Sequence, residues 1–193
     1  LQSGSTYIIS NMLRGRFGSE WAMGLHATGD TVVLLDSSDL QMLSQSNADI
    51  GASRLYRAIT AGRDFSTDAD RAMTYGGVNL KPLSPVYLNG ARDPGTDVWA
   101  IDRTRRTRVG GEWRDGVDAE LGEASEAYDI EIYADGSYTS VKRTITAAAP
   151  SCAYSSADQV TDFGSNQGTL YIRVYQRSAT VGRGYPLTTS ITR

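Results

Sequence analysis

One histidine and one cysteine are all that these 193 residues offer as imidazole or thiolate ligands. His26 lies among Trp21, Met23 and Leu25 with no Cys or second His beside it, so a zinc site of the usual spacing is excluded. A lone Cys152 cannot form an internal disulfide, and its small neighbours suit a half-buried thiol. A Ser-His-Asp triad would have to be built on His26, and no Gly-x-Ser-x-Gly elbow is present. The glycines Gly15, Gly18 and Gly24 lack the spacing of a nucleotide fingerprint. Residues 90–95 and Asp135-Gly136 lack the alternating oxygens and closing Glu of a calcium loop. No cofactor and no metal is expected.

Long apolar runs are missing as well. The longest, Thr31-Val32-Val33-Leu34-Leu35 and Ala147-Ala148-Ala149, fall far short of the roughly 20 residues that cross a bilayer. No basic segment followed by an apolar core marks a signal peptide, and a start at Leu1 leads us to expect part of a longer polypeptide. A net charge of −3 creates no field that would gather phosphates, so nucleic acid is not an expected partner.

What the chain does have is glycine, 20 residues of it, and short alternating apolar segments, the profile of a turn-rich all-β protein. Gly76-Gly77 followed by Pro82 and Pro85 breaks the pattern, and we place a domain boundary near Leu80. The first domain, residues 1–79, is expected to be small, mixed and β-rich. It has a strand over residues 31–35, apolar on both faces and therefore central or covered. Ser38 and Gln41 have capping-box spacing for a short helical turn, and a second strand follows over 54–60.

The second domain, residues 80–193, is expected to be a sandwich. Its strands are predicted over 85–88, 98–105, 128–134, 138–145, 153–155, 170–176 and 186–191. Trp99, Ile101 and Arg103 share one face, as do Tyr128, Ile130 and Ile132, and Leu170, Ile172 and Val174. Asp135-Gly136 predicts a tight hairpin, and Ser156 with Gln159 a single helical turn before Phe163-Gly164.

Three groups of residues carry potential chemistry. Glu120, Glu123 and Glu126, preceded by Asp115 and Asp118, have the residue types of a glycosidase pair, but the flanking Gly116 and Gly122 favour a solvated loop. Arg103, Arg105, Arg106, Arg108 and Arg114, with Trp113 as a stacking ring, have the composition of a phosphate grip. Their acidic neighbours favour local ion pairing instead. Tyr171, Tyr175 and Tyr185 are candidate surface-binding residues, either an outward patch for a partner or glycan, or ordinary cross-strand pairs.

Seven short strands, a Trp in the second and a Tyr opening the next long strand resemble a fibronectin type III domain over residues 80–193. A longer series of motifs spans nearly the whole chain. It runs Leu13-Arg14-Gly15, Gly29-Asp30, Val33-Leu34-Leu35-Asp36, Leu83-Ser84-Pro85-Val86, Arg103-Thr104-Arg105, Leu121-Gly122-Glu123, Glu126-Ala127-Tyr128 and Asp162-Phe163-Gly164. In that order it resembles the C-terminal part of the large tail-tip hub (host-specificity) proteins of gene transfer agents and related siphophages. The resemblance implies a non-enzymatic structural component of the virion at the distal tail. Its partners would be other tail-tip and baseplate proteins, copies of itself in a trimer, and a host surface receptor. A receptor- or glycan-binding module and a cell-envelope hydrolase are the competing classes.

Overall fold

The computed structural model describes all residues except 1, 4–5, 37, 39, 41, 113–114 and 118, together with the side chains of residues 2, 3, 6, 17 and 67. The chain is all-β. Its elements are β1 (Gln2–Ser3), β2 (Thr6–Tyr7), β3 (Ser53–Tyr56), β4 (Arg71–Thr74), β5 (Val86–Arg92), β6 (Trp99–Thr104), β7 (Tyr128–Tyr133), β8 (Val141–Ala147), β9 (Ser151–Tyr154), α1 (Ser156–Phe163), β10 (Thr169–Ser178) and β11 (Gly182–Thr192).

The last seven strands form the sandwich. One sheet has the order β5-β6-β9, the other β11-β10-β7-β8, and every pairing in them is antiparallel. This three-plus-four division is fibronectin type III-like, and all seven strands overlap the segments expected from the sequence. The inner faces follow the alternation. Trp99 and Ile101 from β6, Tyr128, Ile130 and Ile132 from β7, and Leu170, Ile172 and Val174 from β10 are buried and pack together. Gly90 on β5 lies so close to the facing sheet that a Cβ there would sit 2.1 Å from Ile191 Cδ1, so a larger residue would force the Ile191 side chain to move.

Trp99 is fully buried and donates its indole N–H to the Gln167 carbonyl at 3.1 Å. Gln159 on α1, also fully buried, donates to the carbonyls of Asp97 and Tyr154 and accepts from Gln167 N–H at 3.0 Å. These bonds tie the helix to the turn before β6 and to the entry of β10, and they satisfy polar groups that burial would otherwise penalise.

Local details differ from the sequence expectations. The helical turn at Ser156 is a helix of eight residues, capped by Ser155, whose Oγ accepts from Asp158 N–H, and ended by Gly164 in the left-handed region. Asp135-Gly136 does not make a two-residue hairpin. Residues 134–140 connect β7 to β8, Tyr138 takes φ 54°, and β8 begins at Val141 rather than at 138. The reason lies in the Tyr138 ring, which packs edge-on against Tyr133 and Tyr171 and so belongs to the loop.

The first eighty residues form two ribbons, β1-β2 and β3-β4, and several 3-10 turns. The strand expected over 54–60 is shorter, Ser53–Tyr56, and pairs with Arg71–Thr74. Residues 31–35 correct the sequence reading outright. They form no strand, and Val32, Val33, Leu34 and Leu35 are exposed rather than covered, because no second layer lies over them among the described residues. The capping box expected at Ser38 rests on Gln41, which lies outside the described residues. Among the described residues the buried hydrophobic cluster runs from Trp99 to Ile191, so the packed core belongs to the sandwich.

Trp99→Ala is expected to lower unfolding stability by about 3–5 kcal/mol, since it removes a fully enclosed indole and leaves a cavity. A chemical-denaturation midpoint unchanged from the parent would contradict this.

Candidate functional site

Two surfaces combine aromatic and charged side chains, and the strand parity decides which tyrosine joins which. On β10 the residues Leu170, Ile172 and Val174 face the core, so Tyr171, Arg173 and Tyr175 face outward. The register sets Tyr171 beside Tyr133, Arg173 beside Glu131, and Tyr175 beside Asp129 on β7. On β11, Pro186 pairs Tyr175 and Thr188 pairs Arg173, so Tyr185 belongs to the opposite side of its strand. Tyr171 and Tyr175 therefore share a face, and Tyr185 is placed elsewhere.

The outer face is held by its own ions. Arg183 donates from Nε to Asp129 at 2.7 Å and from Nη1 to Glu131 at 2.6 Å, and its guanidinium lies 4.7 Å from the Tyr175 ring. Arg173 sits 5.0 Å from the Tyr133 ring and 5.3 Å from that of Tyr138. Asp129 and Glu131 are buried beneath these groups although they point away from the core. Burial alone would raise the Glu131 carboxyl, but hydrogen bonds from the Tyr133 hydroxyl and Arg183 outweigh it and hold the group below its ordinary value. Desolvation and the bond to Glu131 push the Tyr133 hydroxyl up to about 12.

Tyr185 lies at the junction with the first eighty residues. Its ring stacks on Trp21 with centroids 5.1 Å apart and planes 17° from parallel, and Lys81 Nζ is 5.6 Å from it. Two backbone features bring them together. The Tyr185 N–H donates to the Pro82 carbonyl at 3.1 Å, and Gly18 admits Leu83 so closely that a Cβ would lie 2.1 Å from its Cδ2. Arg106 closes the junction, donating to Glu20 at 2.7 Å and to the Ser84 carbonyl at 2.8 Å. The Arg106 hydrogen bond keeps the Glu20 carboxyl below its ordinary value despite an opposing desolvation effect. Beside this stack opens a cleft of about 610 Å³, walled by Trp21, Met73, Val78 and Leu83 with Lys81 and Tyr185 among its lining. Trp21 and Lys81 were not singled out as a site in the sequence. Their meeting with Tyr185 joins distant parts of the chain, and no local pattern encodes it.

The remaining candidates are held in ion pairs or lie apart. Glu123 pairs with Arg108 at 3.2 Å, while Glu126 accepts from the Tyr128 hydroxyl at 2.8 Å and lies 3.6 Å from Arg105. Local pairing thus accounts for Arg105 and Arg108. It does not account for Arg103, which is buried over the Tyr128 ring at 4.0 Å and donates to the Ala149 carbonyl, nor for Arg106, whose acid is the distant Glu20. Trp113, Arg114 and Asp118 lie outside the described residues. His26 is exposed with Asp30 3.6 Å away, and no group of three metal-ligating side chains occurs among the described residues. Burial pushes the Cys152 thiol up, which suits a packing residue and not a nucleophile. No helix among the described residues is long and apolar enough to cross a membrane.

No protein-family model matches the chain, and no curated protein matches it. Among solved structures, domains d3–d4 of the rat CD45 extracellular region align with it at 10% identity and a TM-score of 0.38, covering 100% of this chain and 86% of that one.

Arg183→Ala should leave Asp129 and Glu131 without their shared donor. Allowing for the partial exposure of Arg183, the expected loss at neutral pH is about 1–2 kcal/mol. Because the folded Glu131 carboxyl titrates below its ordinary 4.5, the stability it contributes is full above that value and fades as pH falls through the folded value. The difference between parent and variant should therefore shrink in acid, and urea titrations at pH 7 and at successively lower pH measure it. A gap as large at the lower pH would contradict the assignment.

Proposed function

We propose that the chain is a non-enzymatic structural module of a phage-like tail tip or baseplate, in which the first eighty residues contact neighbouring subunits and the sandwich stands farther from the axis. The observation that carries this reading is the apolar surface of those residues. Leu13 is 77% exposed, Leu34 88% and Met42 93%, in a region from which no described side chain joins the buried hydrophobic cluster. Surface of this kind, concentrated in one part of a molecule, is the usual mark of contact with another protein.

The resemblance of the ordered motifs to tail-tip hub proteins supports the proposed setting: tail-tip and baseplate partners, further copies of the chain in a threefold arrangement, and a location at the distal tail of the virion. The sandwich is suited to that position, since Arg183 pairs with its outer acids and a contiguous buried cluster fills its interior. Host-receptor or glycan binding is the second reading, favoured by the partly exposed rings of Tyr138, Tyr171 and Tyr175 on one face. Against a cell-envelope hydrolase stands the engagement of Glu123 and Glu126 by Arg108, Arg105 and Tyr128.

In a density map of the intact particle the chain is expected at the distal tail, with its first eighty residues nearer the axis. Placement in the capsid, or recovery only as free protein absent from particles, would overturn the reading. The purified chain should show no turnover of peptidoglycan or polysaccharide. Turnover abolished by Glu120→Gln, Glu123→Gln or Glu126→Gln would establish the hydrolase instead.

A further inference from the structure

We propose that residues 30–36 of one copy dock as an added strand in the Trp21–Met73 cleft of a second copy, making a head-to-tail contact between unlike surfaces. This names the partner of the apolar surface and rests on the assembly reading above.

The donor segment is Asp30-Thr31-Val32-Val33-Leu34-Leu35-Asp36, with β-branched and apolar residues between two acids. It has the composition of a strand and, among the described residues, no strand partner, and its four large apolar side chains stand in solvent. Asp36 accepts hydrogen bonds from the Ser38 backbone N–H and hydroxyl, which hold its carboxyl below the ordinary range and therefore ionised.

The acceptor has the complementary pattern. Strand β4 pairs only with β3 in a two-stranded ribbon, so its second edge carries no strand among the described residues, and Met73 and Thr74 of β4 line the cleft. An extended segment laid along that edge would complete backbone hydrogen bonds and seat alternate side chains among Met73, Val78, Leu83 and Trp21. The charges also match. Arg71 lies two residues before Met73, on the same face of β4, and Lys81 lines the cleft, so cations flank an apolar floor just as acids flank the apolar donor. A contact between two different surfaces of one chain repeats from copy to copy and closes into a ring or extends.

The test is the mass of the full chain in solution by sedimentation equilibrium. The parent should pass from single chain to multiples as concentration rises over about 1 µM to 1 mM. Leu34→Asp, made at a position already in solvent, should remain a single chain. Asp36→Lys and Lys81→Glu should each weaken association by about tenfold or more, and the two together should restore it, a rescue that mere misfolding at Lys81 would not give.

A parent that stays single throughout, a Leu34→Asp variant that associates like the parent, or a double variant without rescue would each overturn the contact. Particle fractionation separates this outcome from the fate of the wider reading. A parent that enters particles without self-associating keeps the tail-tip assignment and loses the contact. A parent that self-associates through these residues but never enters particles does the reverse.

Discussion

The Trp99 indole, enclosed between the two sheets with its N–H given to the Gln167 carbonyl, is the contact on which the sandwich depends. A sandwich of this size has few large side chains with which to fill its centre, and Trp99, Tyr128 and Tyr154 are the largest that are fully buried. Placing an indole there creates a polar obligation, met by the residues linking α1 to β10. The buried Gln159 amide then fixes the same linker from the helix side while reaching the turn at Asp97. Asp97 is held in turn by Asn166 at 2.7 Å and by Arg92 at 2.5 Å. One hydrophobic requirement thus orders the helix, the first hairpin and the entry to the longest strand pair as a single connected unit.

Outside the core the sheet uses charge to cover what its strands leave open. β7 is central in the four-stranded sheet and buried along its whole length, yet every second residue faces away from the hydrophobic interior. Asp129 and Glu131 occupy those positions, and the arginines of β10 and β11 fold over them. On the other side of the helix, Arg143 reaches Asp162 at 2.6 Å and Asp158 at 3.0 Å and fastens α1 to β8. These pairs set orientation more than they add stability, since the guanidinium groups remain partly in water.

The sandwich was legible in the sequence because period-two alternation is a local signal and here it agrees with burial strand by strand, as in Leu170, Ile172 and Val174. The same logic failed at residues 31–35, where a run apolar on both faces reads as a central strand. Composition states what a segment can bury, and whether anything lies over it is a tertiary fact. Arg103 shows the opposite limit, since it shares the core face of Trp99 and Ile101 but also stands in a basic cluster. Only the Tyr128 ring beneath it and the Ala149 carbonyl beside it show which role prevails. The parity of β10 correctly grouped Tyr171 with Tyr175. Tyr185 needed the β11 register to be placed apart from them, and its partners Trp21 and Lys81 come from segments with no periodic relation to it.

The two described tryptophans occupy opposite kinds of environment, Trp99 sealed in the core and Trp21 52% exposed against Tyr185 at the rim of the cleft. Among the described residues these two side chains are distinct optical reporters. Trp99 emits from an apolar, water-free site and follows the integrity of the sandwich. Trp21 emits from a hydrated one, where a chain arriving in the cleft would strip away water and shift its fluorescence to shorter wavelength. Unfolding moves the first signal toward the red and occupation of the cleft moves the second toward the blue, so opposite spectral displacements distinguish loss of the fold from the arrival of a partner.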